Sequence, residues 1–172
     1  MRSSIAKKIN IKVMKLEKEF KTYLETPFGY IEIIANELAL KSINFLKSRK
    51  KPIQNESAKS KILKSTVIQI KEYFSGRREV FDLPLFVKGT KLQEKVWMEI
   101  LNVPFGKTTS YGNISKNIRN PKACRAVGNA VGKNPIPIVI PCHRVIHSDG
   151  NIKGFSGGDH IKRFLLNHEG VI

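Results

Sequence analysis

A cysteine, a histidine and an arginine stand together in the stretch "IVIPCHRVIHSDG", residues 138–150. A neighbouring imidazolium lowers the pKa of a thiol, so Cys142 beside His143 could act as an activated nucleophile. Buried cysteines are also common as small, inert hydrophobic residues, and His143 would then only satisfy a backbone carbonyl. The residues alone leave both readings open, a nucleophilic site and a structural core segment.

The prolines that precede Cys142 limit how it can be held. Three of them between residues 135 and 141 remove backbone donors, which favours a stiff edge or irregular extended segment. Successive side chains of an extended chain point to opposite sides, so a Cys142–His143 contact needs a turn or a bridging water. A zinc site built from Cys142, His143 and His147 fits none of the usual ligand spacings.

The composition is that of a basic folded protein. The chain has 172 residues with 41% hydrophobic content, enough for one ordinary domain or two small ones. No stretch approaches the ~20 apolar residues of a membrane helix, and the N-terminus lacks a secretory signal, so a cytoplasmic location is expected. The chain has 2 cysteines, Cys124 and Cys142, and no CxxC pair, which argues against a disulfide framework or structural zinc.

The net charge of +17 comes from 31 basic and 14 acidic residues. Such an excess favours a polyanionic partner, and nucleic acid is the most direct candidate. The charge is spread along both halves of the chain, however, as it would be in a lysine-rich proteome. Charge alone therefore leaves nucleic-acid binding open.

The first half is typical of a small α/β unit. In residues 21–46, β-branched and aromatic residues separated by turn signals at Pro27–Gly29 and near Asn36 predict three strands. Residues 80–89 are predicted to form a last strand followed by a connector. The basic stretch at 47–51 is interpreted as a solvated loop.

A helix is predicted within residues 56–78, followed by a mostly helical second half. Gly76 is positioned as the C-terminal stop of that helix. Its apolar residues recur at helical spacing: Leu63, Val67, Ile70 and Phe74. Thr90 and Gln93 then fit a capping box that opens a second helix. The apolar stripe of this second helix is Leu92, Val96 and Ile100.

Two short helices follow a loop rich in glycine and proline. Ser110 can cap the first, which carries Ile114 and Ile118. Asn120-Pro121 predicts the start of the next, with the asparagine side chain accepting from free N–H groups. The predicted buried face of that helix is Ala123, Val127, Ala130 and Val131. Such a pair is the layout of a helix-turn-helix, although many helix pairs never contact DNA.

The motif "IPCHRV" resembles the active-site signature of the O6-alkylguanine-DNA alkyltransferases, which move an alkyl group from DNA onto their own cysteine. Further segments resemble the family in order and spacing, so that the resemblance covers nearly all of residues 90–170: "VWMEILNVPFGKTTSYGNIS", "NPKACRAVGNAVGKNPIPIVIPCHRVI", "GFSGG" and "LLNHEG". The first half resembles the family's ribonuclease-H-like domain on pattern alone.

The resemblance implies an α/β (α+β) fold with two domains. Residues 1–86 would form the ribonuclease-H-like α/β domain. Residues 87–172 would form a winged-helix-like domain with the helix-turn-helix, which binds DNA and carries the alkyl acceptor. Some relatives bind zinc through the first domain, but this chain has no cysteine before residue 124. No metal and no cofactor are therefore expected.

By the same resemblance, Cys142 is the nucleophile and His143 acts through a water as its base. Glu169 would orient and charge-stabilise the histidine, whereas from the residues alone it could be a solvated residue at a helix end. The product would be a thioether, which has no carbonyl for water to attack. Each protein molecule would then repair a single lesion.

In the family, the damaged base rotates out of the duplex into the protein. Other positions of this chain resemble family residues that contact this extruded base or replace it in the stack. Arg125 matches the arginine that fills the vacated place in the stack, and otherwise it would contact phosphate or solvent. Tyr111 matches the tyrosine that crowds the nucleotide and donates to the base, but it could instead be core, since it shares a stripe with Ile114 and Ile118. Asn134 matches the asparagine that ties the recognition helix to the cysteine segment.

The remaining expected DNA and substrate contacts lie in loops. Ser156 resembles the pocket residue that hydrogen-bonds O6, and Gly157 would let backbone approach the base closely. Asn120 and Ser148 match positions that touch the DNA backbone in relatives. The expected partner is double-stranded DNA containing alkylated guanine, bound by a monomer.

The function implied is repair of O6-alkylguanine, and of O4-alkylthymine, without turnover. Three other functions remain as alternatives. A non-catalytic alkylated-DNA-binding relative would lack the acceptor thiol that Cys142 supplies. A cysteine hydrolase would need an oxyanion hole and would regenerate its thiol, and a helix-turn-helix regulator would tolerate loss of Cys142.

Overall fold

The computed structural model describes residues 18–47, 50, 52 and 60–172. These residues form two compact units, divided between Val87 and Lys88. Three parts of the sequence interpretation lie outside the described residues: the N-terminal residues 1–17, positions 48, 49 and 51 of the basic loop, and the beginning of the first predicted helix at 56–59.

The first unit contains a three-stranded antiparallel sheet, as predicted. Its strands are β1 (Phe20–Thr26), β2 (Gly29–Ala35) and β3 (Leu40–Phe45), and β2 lies in the middle. Ile31 and Ile33 on β2 are fully buried, whereas their neighbours in sequence are less so, because alternate side chains of a strand face opposite sides. The sheet therefore presents one apolar face.

Helix α1 (Lys61–Phe74) covers the sheet and packs against all three strands. Ser60 caps it by accepting from the backbone N–H of Leu63 at 3.3 Å. Gly76 follows the helix with φ of +72°, the left-handed conformation that favours glycine, so the predicted stop is confirmed. The apolar stripe of α1 thus closes the core of this unit.

The strand predicted at 80–89 is wrong. Within the described residues this segment makes one isolated bridge, between Leu85 and Leu40 of β3. Leu40 donates to the carbonyl of Pro84, and Phe86 donates to the carbonyl of Leu40. Pro84 has no N–H to donate, so a longer ladder cannot form around it.

The second unit begins with α2 (Lys91–Leu101), whose capping box is present as predicted. The Thr90 side chain accepts from the Gln93 backbone, and the Gln93 side chain accepts from the Thr90 backbone. Trp97 is buried and donates from Nε1 to the carbonyl of Ala130 at 2.9 Å. This bond ties α2 to α4 (Cys124–Gly132).

Helix α3 (Tyr111–Asn117) and α4 form the predicted helix-turn-helix pair and pack against each other. The helical segment begins at Pro121 as predicted, but the predicted side-chain cap is wrong, because the Asn120 side chain makes no capping hydrogen bond. Its φ and ψ are −139° and 70°, and a 3-10 turn, Pro121–Ala123, precedes α4. The backbone carbonyl of Asn120 accepts from Ala123 instead, which is the bond of a tighter turn.

Two short parallel strands, β4 (Thr109–Ser110) and β5 (Val145–Ile146), join the helix pair to the last part of the chain. Helix α5 (Asp159–His168) follows. The pairing of Ser110 with Ile146 sets the start of α3 beside the chain that leaves Cys142. In the part of the chain that the structure describes, no helix has the length and apolar character to span a bilayer.

Candidate active site

Asn134 holds the proline-rich segment that leads to Cys142. Its Nδ2 donates to the carbonyl of Ile140 at 2.7 Å, and its Oδ1 accepts from the N–H of Ile136 at 3.0 Å. The prolines in this segment remove backbone donors, and the asparagine side chain supplies partners in their place. Between these two bonds Ile138 has φ of 75°, an uncommon conformation for a β-branched residue. The segment is therefore a fixed, irregular turn from the end of α4.

Cys142 lies in a 3-10 turn, Cys142–Arg144, and is 2% exposed. Its position is set by hydrogen bonds of the turn, from the Cys142 N–H to the carbonyl of Ile140 and from Arg144 to Pro141. The turn replaces the extended geometry that would have pointed Cys142 and His143 to opposite sides. Cys142 and His143 thus lie in a turn, which is one of the two arrangements, a turn or a bridging water, that the sequence allowed.

A small pocket opens onto Cys142. The enclosed space inside it is about 20 Å³, room for about one water molecule. Its lining consists of Tyr111, Gly128, Val131, Gly132, Cys142, Gly154, Phe155, Ser156 and Lys162. The thiol therefore faces a cavity formed by α3, α4, α5 and the glycine-containing loop before α5.

His143 and Glu169 are both buried and joined by a hydrogen bond. His143 Nε2 lies 2.7 Å from Glu169 Oε1, although the two residues are 26 positions apart. Burial raises the pKa of Glu169, but hydrogen bonds and charge from His143 and Arg144 outweigh it and bring the pKa to about 2. Glu169 is thus an ionised acceptor at neutral pH.

The ionised Glu169 fixes the proton arrangement on His143. Burial is the largest influence on the pKa of His143 and lowers it, so the imidazole is neutral at pH 7. Since a carboxylate can only accept, the neutral imidazole carries its proton on Nε2. Nδ1 then has a free lone pair, and it has no hydrogen-bond partner among the residues that the structure describes. This nitrogen can accept a proton.

Arg144 completes the cluster, and the sequence interpretation assigned it no role. Its Nε and Nη2 donate to the two Glu169 oxygens at 2.8 and 3.0 Å, a bidentate pair. Its Nη1 donates to the carbonyl of Val103 at 2.6 Å, and its guanidinium lies 5.8 Å from the ring centroid of Phe105. Its place directly after Cys142-His143 was the signal available in the sequence.

The thiol itself is not activated by its surroundings at rest. Burial raises the pKa of Cys142 to about 11, while the Asn134 side chain and the Lys162 charge act in the opposite direction. At neutral pH Cys142 is therefore a protonated thiol. Nucleophilic chemistry at this sulfur requires an acceptor for its proton, and His143 Nδ1 has the right protonation state for that task.

Tyr111 and Ser156 both line the pocket with Cys142. Tyr111 is the first residue of α3, and its ring is 5.1 Å from that of His147. Burial raises its pKa, as do Cys142 and Cys124, so its hydroxyl is a neutral donor. Ile114 is the buried member of the stripe that Tyr111 shares, and Tyr111 itself is only partly buried.

Other predicted site residues lie outside the lining of this pocket. Arg125 is exposed near the start of α4, and Asn120 is exposed in the turn before it. Ser148 is exposed in the turn after β5, and Gly157 is partly exposed beside Ser156. Cys124 is an exposed free thiol on α4. The structure thus gathers the thiol, histidine, carboxylate, tyrosine and asparagine, and leaves these positions on the surface.

Lys162 is a second residue that the sequence interpretation did not single out. It is 1% exposed, lines the pocket, and donates from Nζ to the carbonyl of Val145 at 2.6 Å. The signal in the sequence was its place on the apolar face of α5, with Leu165 and Leu166. Among the described residues, no three histidine, cysteine or acidic side chains gather as metal ligands.

Comparison with known protein families gives two matches in order along the chain. Residues 20–87 match the 6-O-methylguanine DNA methyltransferase, ribonuclease-like domain. Residues 91–171 match the 6-O-methylguanine DNA methyltransferase, DNA binding domain. The predicted fold, a ribonuclease-like α/β unit followed by a mostly helical unit, is confirmed.

Similar proteins cover almost the whole chain. The methylated-DNA–protein-cysteine methyltransferase of Methanosarcina acetivorans is 43% identical over 152 residues, 85% of this chain and 95% of that relative. The constitutive enzyme of Bacillus subtilis is 41% identical over 157 residues, 87% and 94% of the two chains. The crystal structure of the Mycobacterium tuberculosis O6-methylguanine methyltransferase has a TM-score of 0.78 at 35% identity, covering 88% and 93%. The chain therefore belongs to the 6-O-methylguanine DNA methyltransferase family.

Proposed function

We propose that this chain repairs DNA by moving the alkyl group of O6-alkylguanine, and of O4-alkylthymine, onto its own Cys142. The single observation that carries the proposal is the buried chain of groups behind the thiol, in which Glu169 orients His143 and leaves Nδ1 free. The relatives named methylated-DNA–protein-cysteine methyltransferase support the reaction class. The Mycobacterium tuberculosis OGT protein solved in complex with DNA supports DNA as the partner.

The proposed reaction begins with removal of the thiol proton. His143 Nδ1 takes the proton of Cys142 through a bridging water, and Glu169 stabilises the imidazolium that forms. The sulfur then bonds to the alkyl carbon as the bond from that carbon to O6 breaks, with the electron pair staying on the base. The base takes up one proton and becomes guanine, so the thiol proton is accounted for.

The product explains why the reaction would occur once per molecule. A thioether has no carbonyl for water to attack, and carbon–sulfur cleavage would need a further nucleophile. Cys142 is 2% exposed even before reaction, which limits access of any such reagent. We therefore propose a stoichiometric repair protein that uses no cofactor.

The target atom lies inside the duplex, so the base must rotate out to reach the pocket. Unstacking costs a few kcal/mol, less for a damaged pair. We propose that Tyr111 and Ser156, which line the pocket, contact the extruded base, with Tyr111 donating to it and Ser156 bonding O6. Gly157 would allow close backbone approach, and the exposed Asn120 and Ser148 would contact the DNA backbone.

Arg125 is proposed to fill the place that the base leaves, since it is exposed on α4. Arg125→Ala should then slow transfer from duplex DNA by about tenfold or more, because the cost of unstacking is no longer offset. Transfer from the free modified base should stay near the wild-type rate. Single-turnover rates on the two substrates make the comparison.

Lys133→Ala is the matched control for Arg125, since Lys133 is an exposed cation directly after α4. A residue that only contacts phosphate should weaken binding in a salt-dependent way. If Arg125→Ala slows both substrates equally, or behaves like Lys133→Ala at every salt concentration, the intercalating role is wrong.

The function itself is tested by stoichiometry. Duplex DNA with a labelled O6-methyl group is titrated with the protein, and the label transferred to protein is counted. We expect label to reach at most one equivalent per chain, with guanine restored in the DNA. Release of label in catalytic excess would indicate a hydrolase, and binding without transfer would indicate a non-catalytic DNA-binding protein.

A monomer acting in the cytoplasm, with domains at 1–86 and 87–172, remains part of the proposal. One copy of the described second unit contains the thiol, the histidine and the carboxylate. A single chain thus carries the groups that the proposed reaction uses.

A further inference from the structure

Two charged residues lie on the buried side of helix α5 and of the residue that follows it. Lys162 is 1% exposed, Glu169 directly follows the helix at 5% exposed, and Leu165 and Leu166 between them are fully buried. The spacing i, i+3, i+4, i+7 places all four on one side of the chain. Glu169 reaches His143 and Arg144, whereas Lys162 reaches the pocket that contains Cys142.

Lys162 is a buried cation that forms no ion pair among the described residues, and the charge of Asp159 acts on it without direct contact. Its Nζ donates to the carbonyl of Val145, and within the described residues no acidic oxygen lies at ion-pair distance. Asp159, one turn earlier, instead accepts from the backbone N–H groups of Gly154 and Phe155. An ammonium has three donors, so two remain beyond the bond to Val145.

A buried charge without an ion-pair partner costs stability. A methionine at this position of an apolar helix face would avoid that cost. A lysine buried inside a reactive pocket is therefore the pattern expected of a group that serves chemistry and not folding.

The Cys142 thiol becomes anionic in the proposed reaction, and its charge acts on Lys162. Cys142 and Lys162 line the same small pocket. Burial lowers the pKa of Lys162, while the charges of Cys142 and Asp159 raise it. Lys162 in turn lowers the pKa of Cys142 against the dominant effect of burial, and it also lowers the pKa of His143. The ammonium form is thus favoured at the moment when a thiolate forms.

We propose that Lys162 is a positioning residue whose buried ammonium stabilises the Cys142 thiolate as alkyl transfer begins. The inference rests on the proposed function for its substrate. His143 takes the thiol proton, and Lys162 neither gains nor loses one. The bond from sulfur to carbon forms and the carbon–oxygen bond breaks as described above, with the anionic sulfur held beside a fixed positive charge.

The test compares Lys162→Met with Arg163→Met in a Cys124→Ser background, which removes the exposed thiol. Arg163 is the neighbouring, exposed cation of α5, so it controls for the loss of one charge from the helix. Two quantities are measured, the pH dependence of Cys142 alkylation by iodoacetamide and the single-turnover rate with free O6-methylguanine. Neither requires binding to DNA.

Lys162→Met should raise the apparent pKa of Cys142 alkylation by about one unit or more. Transfer from the free base at pH 7 should fall about tenfold or more, since one pKa unit is a tenfold change in thiolate population. Thermal stability should be unchanged or higher, because an unpaired buried cation has been removed. Arg163→Met should match the parent in all three measurements.

An unshifted pH profile of alkylation in Lys162→Met overturns the inference. A slower transfer accompanied only by a lower Tm also overturns it, because it would show that Lys162 only stabilises the fold through its bond to Val145. If Lys162→Met does not fold, Lys162→Arg is measured instead. This variant keeps the positive charge, so its pH profile of alkylation should match that of the parent. A clear rise in the apparent pKa of Cys142 would contradict the inference. Failure of the proposed function can be told apart from failure of this inference. If the proposed function is wrong, the parent protein does not transfer the alkyl group, but the pH profile of its reaction with iodoacetamide still reports on Lys162.

Discussion

Cys142→Ser is expected to abolish alkyl transfer while leaving DNA binding at the wild-type level. A serine hydroxyl has almost the size of the thiol and occupies the same buried place, but it is a poor nucleophile toward an alkyl carbon and is not ionised at neutral pH. The loss should exceed that of any other single substitution, since no other described thiol shares the pocket. Label transfer and DNA affinity are measured on the same preparation.

Cys124→Ser is the matched control, because Cys124 is the other cysteine of the chain and is exposed on α4. This variant should transfer at close to the wild-type rate. Residual transfer by Cys142→Ser, or loss of transfer in Cys124→Ser, would mean that Cys142 is not the acceptor. Loss of DNA binding in Cys142→Ser would mean that the substitution had disturbed the fold around the turn.

Glu169→Gln has the second largest expected effect, on rate and on stability together. Its neutral amide no longer fixes the His143 tautomer or stabilises the imidazolium, so transfer should fall between about 10² and 10⁴-fold. The substitution also leaves the Arg144 guanidinium buried without its charge partner. Breaking such a pair costs about 3–5 kcal/mol, equivalent to a fall in Tm of roughly 10 °C.

Acid sensitivity provides a second measurement on Glu169. Its pKa is lowered from 4.5 to about 2 in the folded protein, by His143 and Arg144 acting against burial. The stability that this carboxylate contributes is therefore fully present above pH 4.5 and is lost as the pH falls toward 2. In Glu169→Gln, the free energy of unfolding should no longer contain this pH-dependent contribution. Circular dichroism between pH 4.5 and about 2 measures the difference.

Glu99→Gln is the control for the isosteric change, because Glu99 accepts a surface hydrogen bond from Asn117. It should leave rate and acid stability near wild type. If Glu169→Gln also retains wild-type transfer, the carboxylate does not act through His143, and the proposed proton route is wrong.

Local signals in the sequence were sufficient for most elements of the fold. The Thr90–Gln93 capping box, the stop at Gly76 and the three-stranded hairpin arrangement each depend on residues close together in sequence. They were predicted correctly because the interactions that form them are equally local. The helix-turn-helix followed from two such helices in succession.

The errors arose where two local signals competed. Asn120 has the side chain of a cap and precedes a proline, but the chain turns there as a 3-10 turn and its backbone carbonyl is used instead. The segment around Leu85 has strand composition, but Pro84 permits one bridge to β3 and no ladder. Composition does not reveal which backbone groups find partners.

The site could not be assembled from periodicity. His143 and Glu169 are 26 positions apart, and β4 must pair with β5 before Tyr111 lies near Cys142. The family resemblance identified His143 and Glu169, but it did not single out Arg144 or Lys162. Both are charged residues in apolar surroundings, and such residues are the ones to examine first in a sequence of this kind.

The residue that receives the alkyl group decides whether Cys142 is the acceptor. Wild-type protein is incubated with a duplex that contains O6-methylguanine, digested, and examined by peptide mass spectrometry. We expect one added methyl group, on the peptide that contains Cys142, and unmodified guanine in the recovered DNA. A methyl group on Cys124, or repaired DNA with an unmodified protein, would mean that Cys142 is not the acceptor.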